Sequence, residues 1–91
     1  MQKRCVDFIH YTPHFLRSLQ KLSPSVQKLA QEKEEWFRHN PFDPRLHTHP
    51  LKGKLAGAWA YSVNYEYRVL FRFLKSNEDI YYDIDNHDIY R

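Results

Sequence analysis

Apolar positions along this chain follow two rhythms, a helical one in its N-terminal half and a two-residue alternation from residue 58 onward. Residues 4–10, Arg-Cys-Val-Asp-Phe-Ile-His, predict a first strand with Val6 and Phe8 on one face. Thr12-Pro13 then marks a helix start, the threonine as N-cap and the proline at the first helical position. Phe15, Leu16, Leu19 and Leu22 form one stripe at helical spacing. Ser23-Pro24 repeats the start signal at once, so two helices meet at a tight corner. The second carries Val26, Leu29, Ala30, Trp36 and Phe37 on its apolar side, and Lys28, Glu32 and Glu35 outward. Glu32, Glu34 and Glu35 read as a solvated acidic face. Asn40-Pro41 ends the helix, because a residue before proline avoids the α region.

Residues 39–57 predict a long loop holding three prolines and both glycines of the chain. A loop of that length in a small domain is more often functional than a shorter one. Beyond it, Trp59, Tyr61, Val63 and Tyr65 alternate with Ala58, Ala60, Ser62 and Asn64, a strand with one face on a core. Asn64 to Tyr67 is the expected turn. Arg68 to Leu74 forms the next strand, with Val69, Phe71 and Phe73 on one face and Arg68, Leu70, Arg72 and Leu74 on the other. Ser76-Asn77-Glu78-Asp79 reads as a polar turn. Ile80, Tyr82 and Ile84 mark a last strand before a short tail, His87-Asp88-Ile89-Tyr90-Arg91. The order predicts an α+β fold in one domain spanning residues 1–91: an N-terminal strand, then two helices on one face of a mainly antiparallel four-stranded sheet. Function belongs on the free face or at its rim.

Composition narrows the class. Ninety-one residues suffice for one domain, and the fifteen Phe, Tyr and Trp imply a compact aromatic core. Cys5 is the only cysteine, so no internal disulfide forms. Its place in an alternating run predicts a small buried hydrophobe. No apolar run approaches the ~20 residues of a membrane span, and no signal-peptide core is present, which makes a cytoplasmic protein the expectation. A formal charge of +3 is compatible with a polyanionic partner without requiring one.

Titratable and cationic groups concentrate in the loop: Arg38, His39, Arg45, His47, His49, Lys52 and Lys54, opposed by Asp43. Arg68 and Arg72 follow on a strand, and His87, Tyr90 and Arg91 lie at the C-terminus. The expected topology can bring His49, Lys52, Arg68, His87 and Tyr90 toward one cleft. RNA cleavage suits such a set. A base deprotonates the 2′-hydroxyl, cations stabilise the charge growing on phosphorus, and an acid protonates the departing 5′-oxygen. Imidazole suits both proton transfers, each contributing ~10²–10⁴-fold. Arginine offers a fixed fork for phosphate, and tyrosine can stack on a base. The chemistry needs no metal or other cofactor. His47 and His49 share a side of an extended segment, but with one cysteine and no third ligand nearby they make a poor metal site. Asp83 and Asp85 read as surface charge or as partners of Arg72, and Trp59 and Tyr61 as core.

The stretch His49-Pro50-Leu51-Lys52-Gly53-Lys54-Leu55-Ala56-Gly57-Ala58-Trp59 resembles the Pro-Leu-x-Gly-x-Leu-x-Gly-x-Trp segment of RelE/YoeB/YafQ-like toxins. Tyr67-Arg68-Val69-Leu70-Phe71, the ending His87-Asp88-Ile89-Tyr90, and the earlier Asn40-Pro41-Phe42-Asp43-Pro44-Arg45-Leu46 are also similar to that group. The resemblance implies a RelE/ParE-like fold and a type II toxin–antitoxin toxin, a ribosome-dependent endoribonuclease acting on mRNA. It further implies a cognate antitoxin as partner, and operator DNA reached only through that antitoxin.

Carried onto this chain, the resemblance makes His49 an acid/base residue, Arg68 the contact to the scissile phosphate, His87 a proton donor and Tyr90 a functional C-terminal position. Lys52 and Lys54 match positions often basic in the family, and Arg45 and Arg91 join them as RNA-binding candidates. Two positions depart from YafQ-like relatives: Ser62 stands in place of a further histidine and Tyr67 in place of a tryptophan, while the acidic residue beside it appears as Glu66. The ParE branch shares the fold and inhibits DNA gyrase without cutting RNA. His49 with His87 argues against that branch, since simple inhibition needs no proton-transfer residues. A degenerate toxin that only binds its antitoxin is the remaining alternative.

Overall fold

The computed structural model describes residues 5–86. Strand β1 (Phe8–Tyr11) leads into helices α1 (Pro13–Gln20) and α2 (Pro24–His39). Strands β2 (His49–Pro50), β3 (Trp59–Ser62), β4 (Tyr67–Phe73) and β5 (Glu78–Asn86) follow, with 3₁₀ turns at Pro44–Leu46 and Gly53–Leu55. The sheet order is β1-β5-β4-β3-β2; β1 runs parallel to β5 and the other pairs are antiparallel. The expected α+β architecture holds, with a fifth strand. That strand, β2, comes from inside the stretch expected to be loop, which also holds both 3₁₀ turns. Buried Leu46 and the Asp43 carboxylate, which accepts the Arg45 N–H at 2.9 Å, pin its first half.

Both helices start where the sequence places them. Thr12 Oγ1 accepts from Phe15 N at 3.1 Å and Ser23 Oγ from Val26 N at 3.3 Å, with Pro13 and Pro24 just inside. Each cap stabilises by about 1 kcal/mol. Asn40 is extended ahead of Pro41 and stops α2. Glu34 is no simple solvated charge. It accepts from the Tyr11 hydroxyl at 2.7 Å and pairs with Arg38 at 3.4 Å, tying β1 to α2.

The core lies between the helices and one face of the sheet. Phe37 of α2, fully buried, stacks on Tyr61 at 4.8 Å and meets Phe71 and Tyr81 edge-on at 4.9 and 5.8 Å. Phe15 of α1 meets Tyr81 at 5.2 Å. The Tyr61 and Tyr81 hydroxyls bond each other at 3.0 Å, and burial pushes both phenols well above their ordinary pKa. Trp59, half-buried, closes one end of the cluster against Phe42 and Phe73. No helix among the described residues is long and apolar enough to cross a membrane.

Three expectations about facing are corrected. The residues of β5 that point at the helices are Asp79, Tyr81 and Ile84, all buried, not Ile80, Tyr82 and Ile84. Leu70 pairs with Asp83 and Phe71 with Tyr81, so Tyr82 has no partner in the register and the bulge reverses the phase of the alternation. At the N-terminus, Val6 is buried but Phe8 is 59% exposed. Asp7 and Phe8 both donate their N–H to the Asn77 carbonyl, and this kink turns Ile9 toward the core in place of Phe8. Strand pairing begins only at Phe8, which leaves Cys5 exposed rather than buried.

Candidate functional site

Residues directly opposed across an antiparallel pair share a face of the sheet. His49 opposes Ala60, which opposes Leu70; Ser62 opposes Arg68. Tyr61 and Val69 of the same strands point into the core. His49 and Arg68 therefore project from the face away from the helices, over a floor of Ala60 and Ser62. Their Cα atoms are two strand spacings apart and offset by two residues, roughly 12 Å. Side chains of their length can meet one phosphate across that gap.

His49 is exposed, and its Nδ1 lies 2.8 Å from the His47 carbonyl oxygen. A carbonyl only accepts, so Nδ1 carries the proton, and a ring holding one proton then has its lone pair at Nε2. That is the form a general base requires. His47 makes this possible by adopting a left-handed backbone (φ 53°), uncommon for a residue with a Cβ, as the chain passes from the 3₁₀ turn into β2.

Arg68 is clasped at one end. Its Nη1 donates to the Asn64 carbonyl at 3.0 Å, and at longer range to those of Tyr65 and Tyr67. Asn64 Oδ1 accepts from the N–H groups of Glu66 and Tyr67, both at 2.8 Å, closing the β3–β4 turn from within. The Nε and Nη2 edge of the guanidinium has no protein hydrogen bond among the described residues. It is the edge suited to a two-pronged grip on phosphate.

Next to Arg68 is a cleft of about 290 Å³ lined by Lys33, Arg45, His47, Ser62, Val63, Asn64, Tyr65 and Arg68. Arg45 forks onto Asp43 through Nε and Nη2, at 3.0 and 2.8 Å, and its guanidinium sits 3.6 Å from the Trp36 ring centre. Lys33 Nζ lies 3.7 Å from the same ring. Hydrogen bonds from Arg45 hold the Asp43 carboxyl down at about 2, so it stays ionised. Lys33, Arg45 and Arg68 thus line the cleft, with Arg45 paired to Asp43 just outside it. A larger groove of about 490 Å³ between the helices, near Phe15, Leu19 and Ala30, carries no histidine or arginine.

Of the residues expected to act, the structure brings Arg45 and Arg68 to one cleft; His49 does not line it but bonds the carbonyl of His47, which does. Lys52 and Lys54 are exposed at the 3₁₀ turn after β2 and do not line that cleft. His87, Tyr90 and Arg91 lie outside the described residues; the last described residue, Asn86, pairs with Tyr67, next to Arg68. Arg72 reaches the Ala56 carbonyl rather than an aspartate, and Asp83 pairs with His14 at 3.3 Å. No group of three or more His, Cys, Asp or Glu among the described residues is placed to hold a metal.

Sequence reading missed Lys33 and Tyr65. Lys33 stands three residues before Trp36 on α2, a spacing that puts both on one helix surface. Tyr65 continued an apolar alternation, but β3 stops at Ser62, and Asn64 was the available turn signal.

No family model matches the chain, and no curated protein matches it at a significant level. Solved structures do. The RelBE2 toxin–antitoxin complex from Mycobacterium tuberculosis includes a chain that aligns with TM-score 0.74 and 23% identity, covering 87% of this chain and 95% of that one. The YoeB/ParE toxin from Agrobacterium tumefaciens aligns with TM-score 0.74 and 18% identity over 89% and 99%. YafQ from E. coli aligns with TM-score 0.71 and 16% identity over 92% and 96%. The chain has the fold of RelE/YoeB/YafQ toxins.

Proposed function

We propose that this chain, built on the RelE-like toxin fold, is the toxin of a type II toxin–antitoxin pair and cuts mRNA on the ribosome without a metal. One observation carries the reading. A histidine that bonds the His47 carbonyl through Nδ1 and an arginine whose Nε/Nη2 edge has no hydrogen bond among the described residues share the helix-free face, within joint reach of one phosphate. In this reading His49 Nε2 takes the proton from the 2′-hydroxyl, and the 2′-oxygen attacks the adjacent phosphorus. The Nε/Nη2 edge of Arg68 binds the non-bridging oxygens as their charge grows. Lys52 and Lys54 add positive potential from the neighbouring turn. His87 protonates the leaving 5′-oxygen and Tyr90 positions the substrate, while Arg45 and Arg91 bind flanking RNA. The products are a 2′,3′-cyclic phosphate and a 5′-hydroxyl. A cognate antitoxin silences the toxin in the cytoplasm and carries it to operator DNA.

Induction of the chain without an antitoxin tests the reading. Wild type arrests growth and cleaves translated messages; Arg68→Ala and His87→Ala lose both effects. Variants as toxic and as active in cleavage as wild type would remove the site assignment. Growth arrest with intact messages and a DNA-damage response would replace cleavage with gyrase inhibition.

A further inference from the structure

Tyr65 is 93% exposed, far more than any other large apolar side chain among the described residues, Phe8 coming next at 59%. Exposed rings on loop tips ordinarily sit on loose backbone. Here the backbone beneath the ring is held twice, by the Asn64 carboxamide from within the turn and by the Arg68 guanidinium across it. The ring stands at the rim of the cleft that Lys33, Arg45 and Arg68 make positive. Trp36 in turn holds the Lys33 and Arg45 head groups at cation–π distance, which limits the freedom they would lose on binding an anion. An exposed aromatic on a held backbone beside pre-placed cations suits single-stranded nucleic acid, with the ring taking a base and the cations the backbone. The volume, about 290 Å³, is at the small end of ligand sites and suits one nucleotide rather than a duplex.

We propose that this cleft is a single-nucleotide subsite for the RNA substrate, next to the linkage that is cut. Tyr65 stacks the base, and Lys33, with the Nη1 of Arg45 that Asp43 does not engage, holds the phosphate one step along the strand from the one gripped by Arg68. The proposal rests on the reading of His49 and Arg68 as an RNA-cleaving pair. It adds that contact with the flanking nucleotide is tolerant of base identity, because a ring face reads no hydrogen-bond pattern.

The test is binding, separate from cleavage. Affinity for a single-stranded RNA hexamer, 2′-O-methylated throughout so that it cannot be cut, is measured by fluorescence anisotropy across a salt series. Tyr65→Ala weakens binding about tenfold with an unchanged melting temperature, and Tyr65→Phe, which keeps the ring, restores it. Lys33→Ala lowers the slope of log affinity against log salt by about 0.7, the loss of one phosphate contact to a single strand. Wild-type affinity in Tyr65→Ala, a slope unmoved by Lys33→Ala, or no binding of the hexamer by wild type overturns the subsite. Message cleavage in cells is scored independently. Loss of binding in Arg68→Ala with full binding in Tyr65→Ala removes the subsite and leaves the cleavage reading standing. An acidic peptide that binds the cleft where the hexamer does not would assign it to a protein partner and also overturn the proposal.

Discussion

Substituting Arg68 by lysine separates two jobs that the guanidinium performs together. One end fastens the β3–β4 turn, with a single strong bond at 3.0 Å and two contacts near 3.5 Å. The other end faces the helix-free side. A charged hydrogen bond contributes ~1.5–3 kcal/mol when well shielded; Arg68 is only half-buried, so about 1 kcal/mol is the appropriate figure here. In a domain of this size that is roughly 4–8 °C of melting temperature. An ammonium can serve the turn or a phosphate but cannot fork across both. Losing one donor to a developing oxyanion costs ~10²–10³ in rate. Arg68→Lys should therefore melt a few degrees lower and cleave about 10²-fold more slowly. Arg68→Ala should melt in the same range and lose about 10³-fold. Thermal unfolding by circular dichroism and cleavage of a reporter message in a reconstituted translation reaction give the two numbers. A lowered melting temperature with wild-type cleavage would reduce Arg68 to a turn clasp and refute its place in the chemistry.

Other outcomes follow from the same geometry. Phe37→Ala empties the centre of the aromatic cluster and should cost about 3–5 kcal/mol, enough to bring a domain this small near unfolding at 37 °C, as a urea titration would show. Gly57 has φ +95°, and a Cβ there would lie 2.7 Å from Arg72 Nη1. Gly57→Ala should destabilise by about 1–2 kcal/mol from the backbone alone, with Arg72 swinging aside, read by thermal melting. The Asp43 carboxyl titrates at about 2 when folded and near 3.8 otherwise, so its contribution is present above pH 4 and lost as pH falls toward 2. Asp43→Asn should flatten that part of the stability-against-pH curve, and an unchanged acid limb would contradict the Arg45 pairing.

The sequence made the helices and the class of fold legible, because Thr12-Pro13, Ser23-Pro24 and Asn40-Pro41 are local signals whose chemistry does not depend on distant partners. The phase of β5 was not legible. Tyr81 and Tyr82 are adjacent and alike, so only the pairing with β4 decides which one the bulge leaves over. Likewise β2 is a two-residue strand whose identity comes from β3 beside it and not from its own His-Pro composition. His49 and Arg68 were legible as candidates by chemistry and by resemblance, and register then put them on one face. Tyr65 was hidden because an apolar alternation does not mark where pairing stops. Lys33 and Trp36 were hidden because their role arises only when the 3₁₀ turn at Pro44–Leu46 lays Arg45 on the same indole.

The most direct measurement is the chemistry of the RNA ends after a brief induction of wild type and of His49→Gln. Wild type should leave a 2′,3′-cyclic phosphate and a 5′-hydroxyl on translated messages, with cutting at least 10²-fold slower in the variant. Ends bearing a 3′-hydroxyl and a 5′-phosphate, or equal cutting by His49→Gln, would contradict an imidazole drawing the proton from the 2′-oxygen.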